Sequence, residues 1–384
     1  MRAPVRVGLV TTSYPRFDGD PAGCFVAEHA RYLEAQGHEV EVIAAGGPTD
    51  GNDAIRIPGG RLFYRGGGPE ALERGGAWRD AARFTARLTV EIARRARRWD
   101  AIVSHWLVPS ALAAMVAAPR RPILAIAHAG DVHTLRRIGA LGAFAAIAAA
   151  RPGLRLSFVS RELRDLLLAA APRPARARLA ALSQVCPMGI ELARLRAAAA
   201  PRAPRDGVPI VLFLGRLVPV KGAAVAAAAA RIWRSGARLV VAGAGPEEPA
   251  LREAAAAAPA GRIELVGEVH GAARDRLLAA ADVVAVPSVH TPGGRTEGMP
   301  MAALEAMAAG AAVVASRVGG LAELPVVTHV PPADPAALAA AIDHLITSPR
   351  GRAHQVAAQA RFVADYDWSR VGPRLDPFRM NGNR

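Results

Sequence analysis

Apolar residues fall into two kinds of run along this chain of 384 residues. Short, nearly continuous stretches of Val, Ile and Leu alternate with longer stretches of Ala, Leu and Arg. In the first half Val5–Val10, Glu39–Ala44, Ala101–His105, Ile123–His128 and Leu156–Ser160 read as strands. In the second half Ile210–Gly215, Arg238–Ala242, Ile263–Val266, Val283–Pro287 and Ala312–Ala315 do the same. A strand that is apolar at every position is buried on both faces, and the intervening helices are what cover a parallel sheet. Two such series predict an α/β chain of two doubly wound, Rossmann-like domains.

The expected division is a first domain over 1–187, a linker over 188–208 and a second domain over 209–365. Four prolines and a charged, turn-forming end mark the segment Pro187–Pro209 as the break. Helices are expected near Pro335–Ile346 and from about Arg350 to Asp365. The tail over 366–384 is expected either to fray after Trp368 or to pack back on the first domain. Gly46–Gly76 is Gly-rich and reads as loops around one short strand. No internal repeat or heptad seam is evident. In open parallel sheets, ligands sit beyond the carboxyl ends of the strands, so the site is expected there, in a cleft between the two domains.

Composition narrows the partners. The net charge of +15 suits nucleic acid, an anionic membrane surface or anionic small substrates. Nucleic acid fits poorly, because the arginines are scattered, aromatics make up only 5% and no DNA or RNA motif occurs. Cys24 and Cys186 have no metal-ligand spacing and suggest no disulfide framework, so a reducing cytoplasm is expected. The first residues run directly into a strand without the apolar core of a signal peptide. Ile138–Ala150 is the longest apolar stretch, too short to span a bilayer, and reads as a buried helix.

The basic residues are 47 arginines and a single lysine, Lys221. A compact ammonium that persists against such a background suggests a place where a planar guanidinium does not serve. Lys221 lies in Gly215-Arg216-Leu-Val-Pro-Val-Lys221-Gly222, between a strand and an Ala-rich helix. Strand, turn with Arg, then helix start with Lys is the layout of an anion site, and a phosphate is its natural occupant. A second run, Thr296-Glu297-Gly298-Met299-Pro300-Met301 through Glu305, follows the strand Val283–Pro287. Pro300 suits the first turn of a helix. Glu297 would then precede that helix, and Glu305 would lie about 7 to 8 Å along its axis. Two carboxylates so spaced grip two parts of one extended ligand, beside the amides of Gly298, Met299 and Met301 at the positive helix end.

Taken in order, these motifs resemble the retaining GT-B glycosyltransferases of family four (glycosyl transferases group 1). The likeness rests on Gly215–Gly222, Ala242-Gly-Ala-Gly-Pro246 and the Glu297/Glu305 pair. In the first half it rests on Tyr14–Gly23, Gly37-His38, Ser104-His105-Trp106, His128-Ala-Gly-Asp131, Ser160 and Pro187-Met-Gly-Ile190. The resemblance implies a GT-B fold of two Rossmann-like domains facing across a cleft. It implies that Arg216 and Lys221 hold the diphosphate of a nucleoside-diphosphate sugar and stabilise its developing charge. By the same resemblance Glu305 takes the ribose hydroxyls, and Glu297 orients the transferred sugar. Gly298, Met299 and Met301 contact the donor through their amides. His128 faces the reacting centre, Gly23 approaches the phosphates, and Val269 meets the base through its backbone. Tyr14, Arg16, His105, Trp106 and Asp131 fall on the acceptor side. The chain departs from the commoner family pattern in Gly-Met-Pro after Glu297, in Ala129 after His128, and in a short segment after Glu323.

Asp18-Gly-Asp20 and Asp365-Tyr-Asp367 fit an Asp-x-Asp metal pattern, but neither follows a second-domain strand. Two cations already meet the phosphate charge, so no metal and no cofactor are expected. Gly243-Ala-Gly245 lacks the third glycine of a dinucleotide fingerprint and is followed by Pro246. No Ser/His/Asp or Cys/His nucleophile set is present. The expectation is a metal-independent, retaining hexosyltransferase acting on a glycan, lipid-linked or small-molecule acceptor, cytoplasmic or peripheral at the inner face of the membrane. The alternatives are a nucleotide-sugar epimerase of the same fold and a basic nucleic-acid- or membrane-binding protein.

Overall fold

The structure is a computed structural model and describes residues 5–17, 19–47, 53–59, 62–63, 77–199 and 207–378. It resolves into two compact units, Met1–Gly189 with Trp368–Arg384, and Ile190–Asp367.

The first unit is built on a seven-stranded sheet in the order β3-β2-β1-β4-β5-β6-β7, every pair parallel. Its strands are β1 (Arg6–Val10), β2 (Glu39–Ala45), β3 (Ile55–Ile57), β4 (Ala101–His105), β5 (Ile123–Ala127), β6 (Leu154–Phe158) and β7 (Ser183–Val185). Strands β4 and β5 are buried at every residue, as their unbroken apolar sequences require. The helix Trp78–Arg95 instead shows a narrow apolar stripe. Phe84, Leu88 and Ile92 recur every fourth residue and are buried, while arginines occupy the other side. The stretch Ile138–Ala150 supplies the helix Leu141–Ala150, which buries Leu141, Phe144 and Ala145. Among the described residues no helix is long and apolar enough to cross a membrane.

The second unit carries a six-stranded parallel sheet in the order β10-β9-β8-β11-β12-β13. The strands are β8 (Ile210–Leu214), β9 (Arg238–Ala242), β10 (Ile263–Gly267), β11 (Val283–Val286), β12 (Ala312–Ser316) and β13 (Thr328–Val330). Alternate residues of one strand serve opposite faces. Leu212, Val240, Val284 and Val313 join Leu304 and Met307 in one apolar layer. Val211, Phe213, Leu239, Val283 and Val314 join Ala226, Ala230, Leu338 and Ile342 in the other.

One expectation is corrected. The segment read as a linker contains the helix Leu192–Ala199, which buries Leu192 and Leu195 in the core of the second unit; residues 200–206 lie outside the description. Apolar residues three apart outweighed the turn-forming composition. The described part of the tail, residues 368–378, belongs to the first unit. The helix Trp368–Leu375 buries Trp368, Val371, Gly372 and Leu375 in the first unit. Trp368 lies between His29 and Tyr32 of the helix Cys24–Ala35, at ring-centroid distances of 5.4 and 5.8 Å, and its Nε1 donates to Glu28 Oε2 at 3.1 Å. Strands β7 and β13, three residues each, have no counterpart among the expected elements, because so short an apolar pattern does not stand out. Gly46–Gly76 lies partly outside the described residues, with β3 the one strand seen in it.

Candidate functional site

Each sheet reverses its strand order once, between β1 and β4 in the first unit and between β8 and β11 in the second. At such a point the loops leaving two adjacent strands run apart to opposite faces, opening a crevice at the carboxyl ends. Most of the candidate residues lie on loops leaving the strands at or next to these two places, Val269 after the edge strand β10 being an exception.

In the second unit, the loop after β8 carries Arg216 and Lys221, and the loop after β11 carries Glu297. The two loops are pinned together by Val289, whose N–H donates to the Val220 carbonyl at 3.0 Å. Gly222 brings them closer still. Its φ is +72°, and a Cβ there would collide with the Pro287 carbonyl oxygen, so only glycine allows this approach. Across the junction Lys221 Nζ donates to Glu297 Oε2 at 2.8 Å, both side chains being mostly buried. The lysine read as a phosphate ligand therefore meets the carboxylate read as a sugar ligand. Gly319, in the loop after β12, backs the Glu297 main chain, and Gly320 N–H donates to the Glu297 carbonyl at 3.3 Å.

The helix after Glu297 is Met301–Ala308, one residue later than expected, because Pro300 is extended (ψ 115°) and caps it. Met299 and Met301 turn their side chains against the apolar core, as does Val269 in the loop after β10, so any ligand contact from these falls to the backbone. Glu305 is buried, and its Oε2 accepts from Arg274 in the helix Gly271–Ala280. Arg274 is absent from the sequence reading. One arginine among 47, on a helix without a distinct apolar face, gives no signal.

The first unit gathers a different set. Gly23 precedes the helix Cys24–Ala35 with φ +73°, its Cα pressed against the Ser13 carbonyl group. His105 ends β4 and Trp106 follows it; His128 follows β5. The His128 ring lies 4.9 Å from Trp106 and 5.0 Å from Phe25, and His105 Nδ1 is 3.0 Å from His128 Nε2. His105 Nε2 is in turn 3.1 Å from Nδ1 of His29, a residue of the helix Cys24–Ala35 that the sequence reading missed. Burial holds His29 at about 4 and His128 at about 3, and holds His105 well below the ordinary histidine value. A charged imidazolium loses its hydration there, so all three rings are neutral near pH 7.

Asp131, read as acceptor-side, is buried and engaged with the main chain. Its carboxylate accepts the N–H groups of Leu107 at 2.6 Å, Val132 at 3.0 Å and His128 at 3.1 Å. It thus ties together the turns that leave β4 and β5. Burial raises it to about 6, and the three backbone donors offset only part of that cost. Both turns are strained. Trp106 sits at φ 71°, ψ 131°, and Ala129 at φ 90°, ψ −59°, where a Cβ is disfavoured. The departure from glycine at Ala129 therefore falls at a position whose backbone suits glycine.

Tyr14 and Arg16 lie in the loop after β1. Arg56, also missed, anchors this loop by donating to the carbonyls of Tyr14 at 3.1 Å and Pro15, with its guanidinium 5.6 Å from the Tyr14 ring centre. Burial, then the charge of Glu34, pushes the Tyr14 phenol up. Of the two Asp-x-Asp patterns, Asp18 lies outside the described residues. Asp20 is taken up by Arg16 N–H and Ala22 N–H, both at 3.0 Å, and Asp367 accepts from Leu192 N–H at 3.3 Å. Among the described residues no three His, Cys, Asp or Glu side chains are grouped to hold a metal ion.

Comparison with known proteins agrees with both units. Residues 22–181 match the family model described as Glycosyltransferase Family 4, and residues 208–348 match Glycosyl transferases group 1. A glycogen synthase of Mycobacterium tuberculosis is 35% identical over 192 residues, 48% of this chain and 44% of that one. The chain spans less than half the length of the curated relatives it matches. Among solved structures, a sucrose-phosphate synthase from Thermosynechococcus elongatus has a TM-score of 0.74 at 22% identity, over 98% of both chains. Anabaena HepE in complex with UDP-glucose has a TM-score of 0.70 at 17% identity, over 98% of this chain and 99% of that one. At those identities the likeness speaks for the fold, which is GT-B.

Proposed function

The chain belongs to the GT-B glycosyltransferases of family four, and we propose that it transfers a sugar, with retention, from a nucleoside-diphosphate sugar to a glycan, lipid-linked or small-molecule acceptor without a metal ion. The observation that carries this reading is the Lys221–Glu297 pair at the strand-order reversal of the second sheet. An ammonium and a carboxylate side by side suit a donor that is anionic along its phosphates and hydroxylated on its sugar. In this reading Lys221 turns to the diphosphate with Arg216, Glu297 takes hydroxyls of the transferred sugar, and Glu305, braced by Arg274, takes those of the ribose. Gly298, Met299, Met301 and Val269 contribute main-chain contacts. His128, with His105 and Trp106 beside it and Asp131 setting its turn, serves the sugar and the acceptor together with Tyr14 and Arg16 of the loop after β1.

Transfer breaks the bond between the anomeric carbon and the phosphate oxygen and forms one to the acceptor oxygen on the same face. The acceptor proton passes to the departing phosphate. Charge grows on that oxygen as the bond breaks, so fixed cations stabilise the transition state more than the ground state. The net charge of +15 also suits work at an anionic inner membrane face, and a cytoplasmic setting suits a supply of nucleotide sugars.

A thermal-shift screen of nucleoside diphosphates and their sugars tests the donor. One base and one sugar should stand out, with no change on adding a chelator. Silence across the whole panel would sink the assignment. Product analysis separates transfer from the epimerase alternative, since an epimerase converts the donor with no acceptor present. A glycosyl adduct trapped on a side chain and seen by mass spectrometry would exclude the same-face mechanism.

A further inference from the structure

The three buried histidines of the first unit form one hydrogen-bonded series that ends on a peptide carbonyl. His29 Nε2 lies 3.1 Å from the carbonyl oxygen of Leu375, the last residue of the helix Trp368–Leu375. Carbonyls of the last helical turn have no partner within the helix, so this one is free to accept from a side chain. A carbonyl oxygen only accepts, so His29 must carry its proton on Nε2. Its Nδ1 is then bare and accepts from His105, which must therefore be protonated on Nε2. His105 Nδ1 is bare in turn and accepts from His128 Nε2–H. Each assignment forces the next.

The geometry suits such a series. The His105 and His128 rings are within 15° of coplanar with centroids 5.2 Å apart, so they meet edge to edge rather than face to face. The His29 and His105 rings are 5.3 Å apart at 75°, a twist about the hydrogen-bond axis that leaves donor and lone pair aligned. These hydrogen bonds require neutral rings, and burial keeps them neutral. The Leu375 carbonyl is held in register by Trp368 stacked against His29 and by Gly372, where a Cβ would strike the Tyr32 ring.

We infer that His29 and His105 are positioning residues which, from the Leu375 carbonyl, fix His128 as the Nε2–H tautomer and leave its Nδ1 as a hydrogen-bond acceptor. His128 then receives a hydrogen bond from a substrate hydroxyl and offers nothing from Nδ1 to a phosphate oxygen, which also only accepts. The C-terminal helix acts on the chemistry without touching the substrate. The inference takes from the proposed function only that His128 meets substrate.

The test is nitrogen–proton correlation NMR of the full chain, 15N-labelled at histidine, with the His128 signals assigned by their loss in His128→Asn. At neutral pH, His29, His105 and His128 should all show protonated Nε2 and bare Nδ1. In His29→Phe, which keeps the ring but cuts the series, His128 should become a mixture of tautomers. Turnover should then fall at least about tenfold with the donor KM within about twofold, and His29→Gln should recover most of the loss. A native His128 protonated on Nδ1 overturns the inference without need of any variant, as does a His128 tautomer unmoved in folded His29→Phe. If instead the tautomers behave as stated and no nucleotide sugar is turned over, the transfer reading fails while the tautomer assignment stands.

Discussion

The two units place their candidate residues at the same topological position and fill it with opposite chemistry. In the second unit the reversal between β8 and β11 holds charges in pairs, Lys221 with Glu297, and Arg274 with Glu305 in the helices beside it. The reversal between β1 and β4 in the first unit gathers neutral imidazoles and aromatic rings, and two carboxylates there, Asp131 and Asp20, accept main-chain N–H groups. The second unit offsets the cost of burying charge by pairing it; the first sets its buried Asp131 on main-chain donors and stores backbone strain at Trp106 and Ala129. One position in a fold thus carries paired charges or neutral rings, depending on the side chains at the strand ends.

Breaking the charged half should have the largest effect. Glu297→Ala should lower transfer by on the order of a thousandfold, while nucleoside-diphosphate binding in a thermal-shift titration changes only severalfold. Equal losses of both would mean that Glu297 merely holds Lys221 in place.

Acid separates the halves next. Because His29, at about 4, and His128, at about 3, sit below their unfolded values, the unfolded chain binds more protons once pH falls below the ordinary histidine range. Their contribution to stability is complete above pH ~6.5 and is lost as pH drops toward 4; His105 acts in the same direction. Asp131, raised to about 6, opposes this between roughly pH 6 and 4, as one group against three. Denaturant titrations of the folded chain should therefore show a net loss of stability as pH falls across that window. His105→Phe should flatten the dependence, and an unchanged slope would mean that the rings are not neutral.

A milder cut is Lys221→Arg, which keeps the charge and changes its shape. Turnover should fall by roughly 10- to 100-fold, because a planar guanidinium differs in both reach and hydrogen-bond geometry. Wild-type turnover would make the single lysine an accident of composition. The smallest expected effect is a gain. Ala129→Gly should relieve the turn after β5 and stabilise the chain by about 1 kcal/mol, read as a shift of the denaturation midpoint.

What was legible from the sequence follows the range of each signal. Strands β4 and β9 appear with the bounds their apolar runs predict, and most of the other long strands shift by a residue or two at their ends. Lys221, Glu297, Glu305, His105 and His128 stood out because each lies beside a strand end or helix start that is visible locally. Arg274, Arg56 and His29 did not, because each sits in an ordinary element and acquires its role from a partner distant in the chain. The helix in the linker and the packing of the tail were hard to see for a related reason. Pro, Gly and Arg predict irregular chain, yet Leu192, Leu195, Trp368 and Leu375 had cores to enter.

By itself the sequence determined two parallel-sheet domains and the residue types at their strand ends, because hydrophobic period and turn chemistry act over a few residues. Only the tertiary structure decided which charges are paired, which carboxylate faces the main chain, and which nitrogen of His128 carries the proton. Those outcomes depend on burial and on partners such as Leu375, which comes 247 positions after His128. Desolvation and hydrogen-bond direction belong to the folded neighbourhood rather than to any one residue.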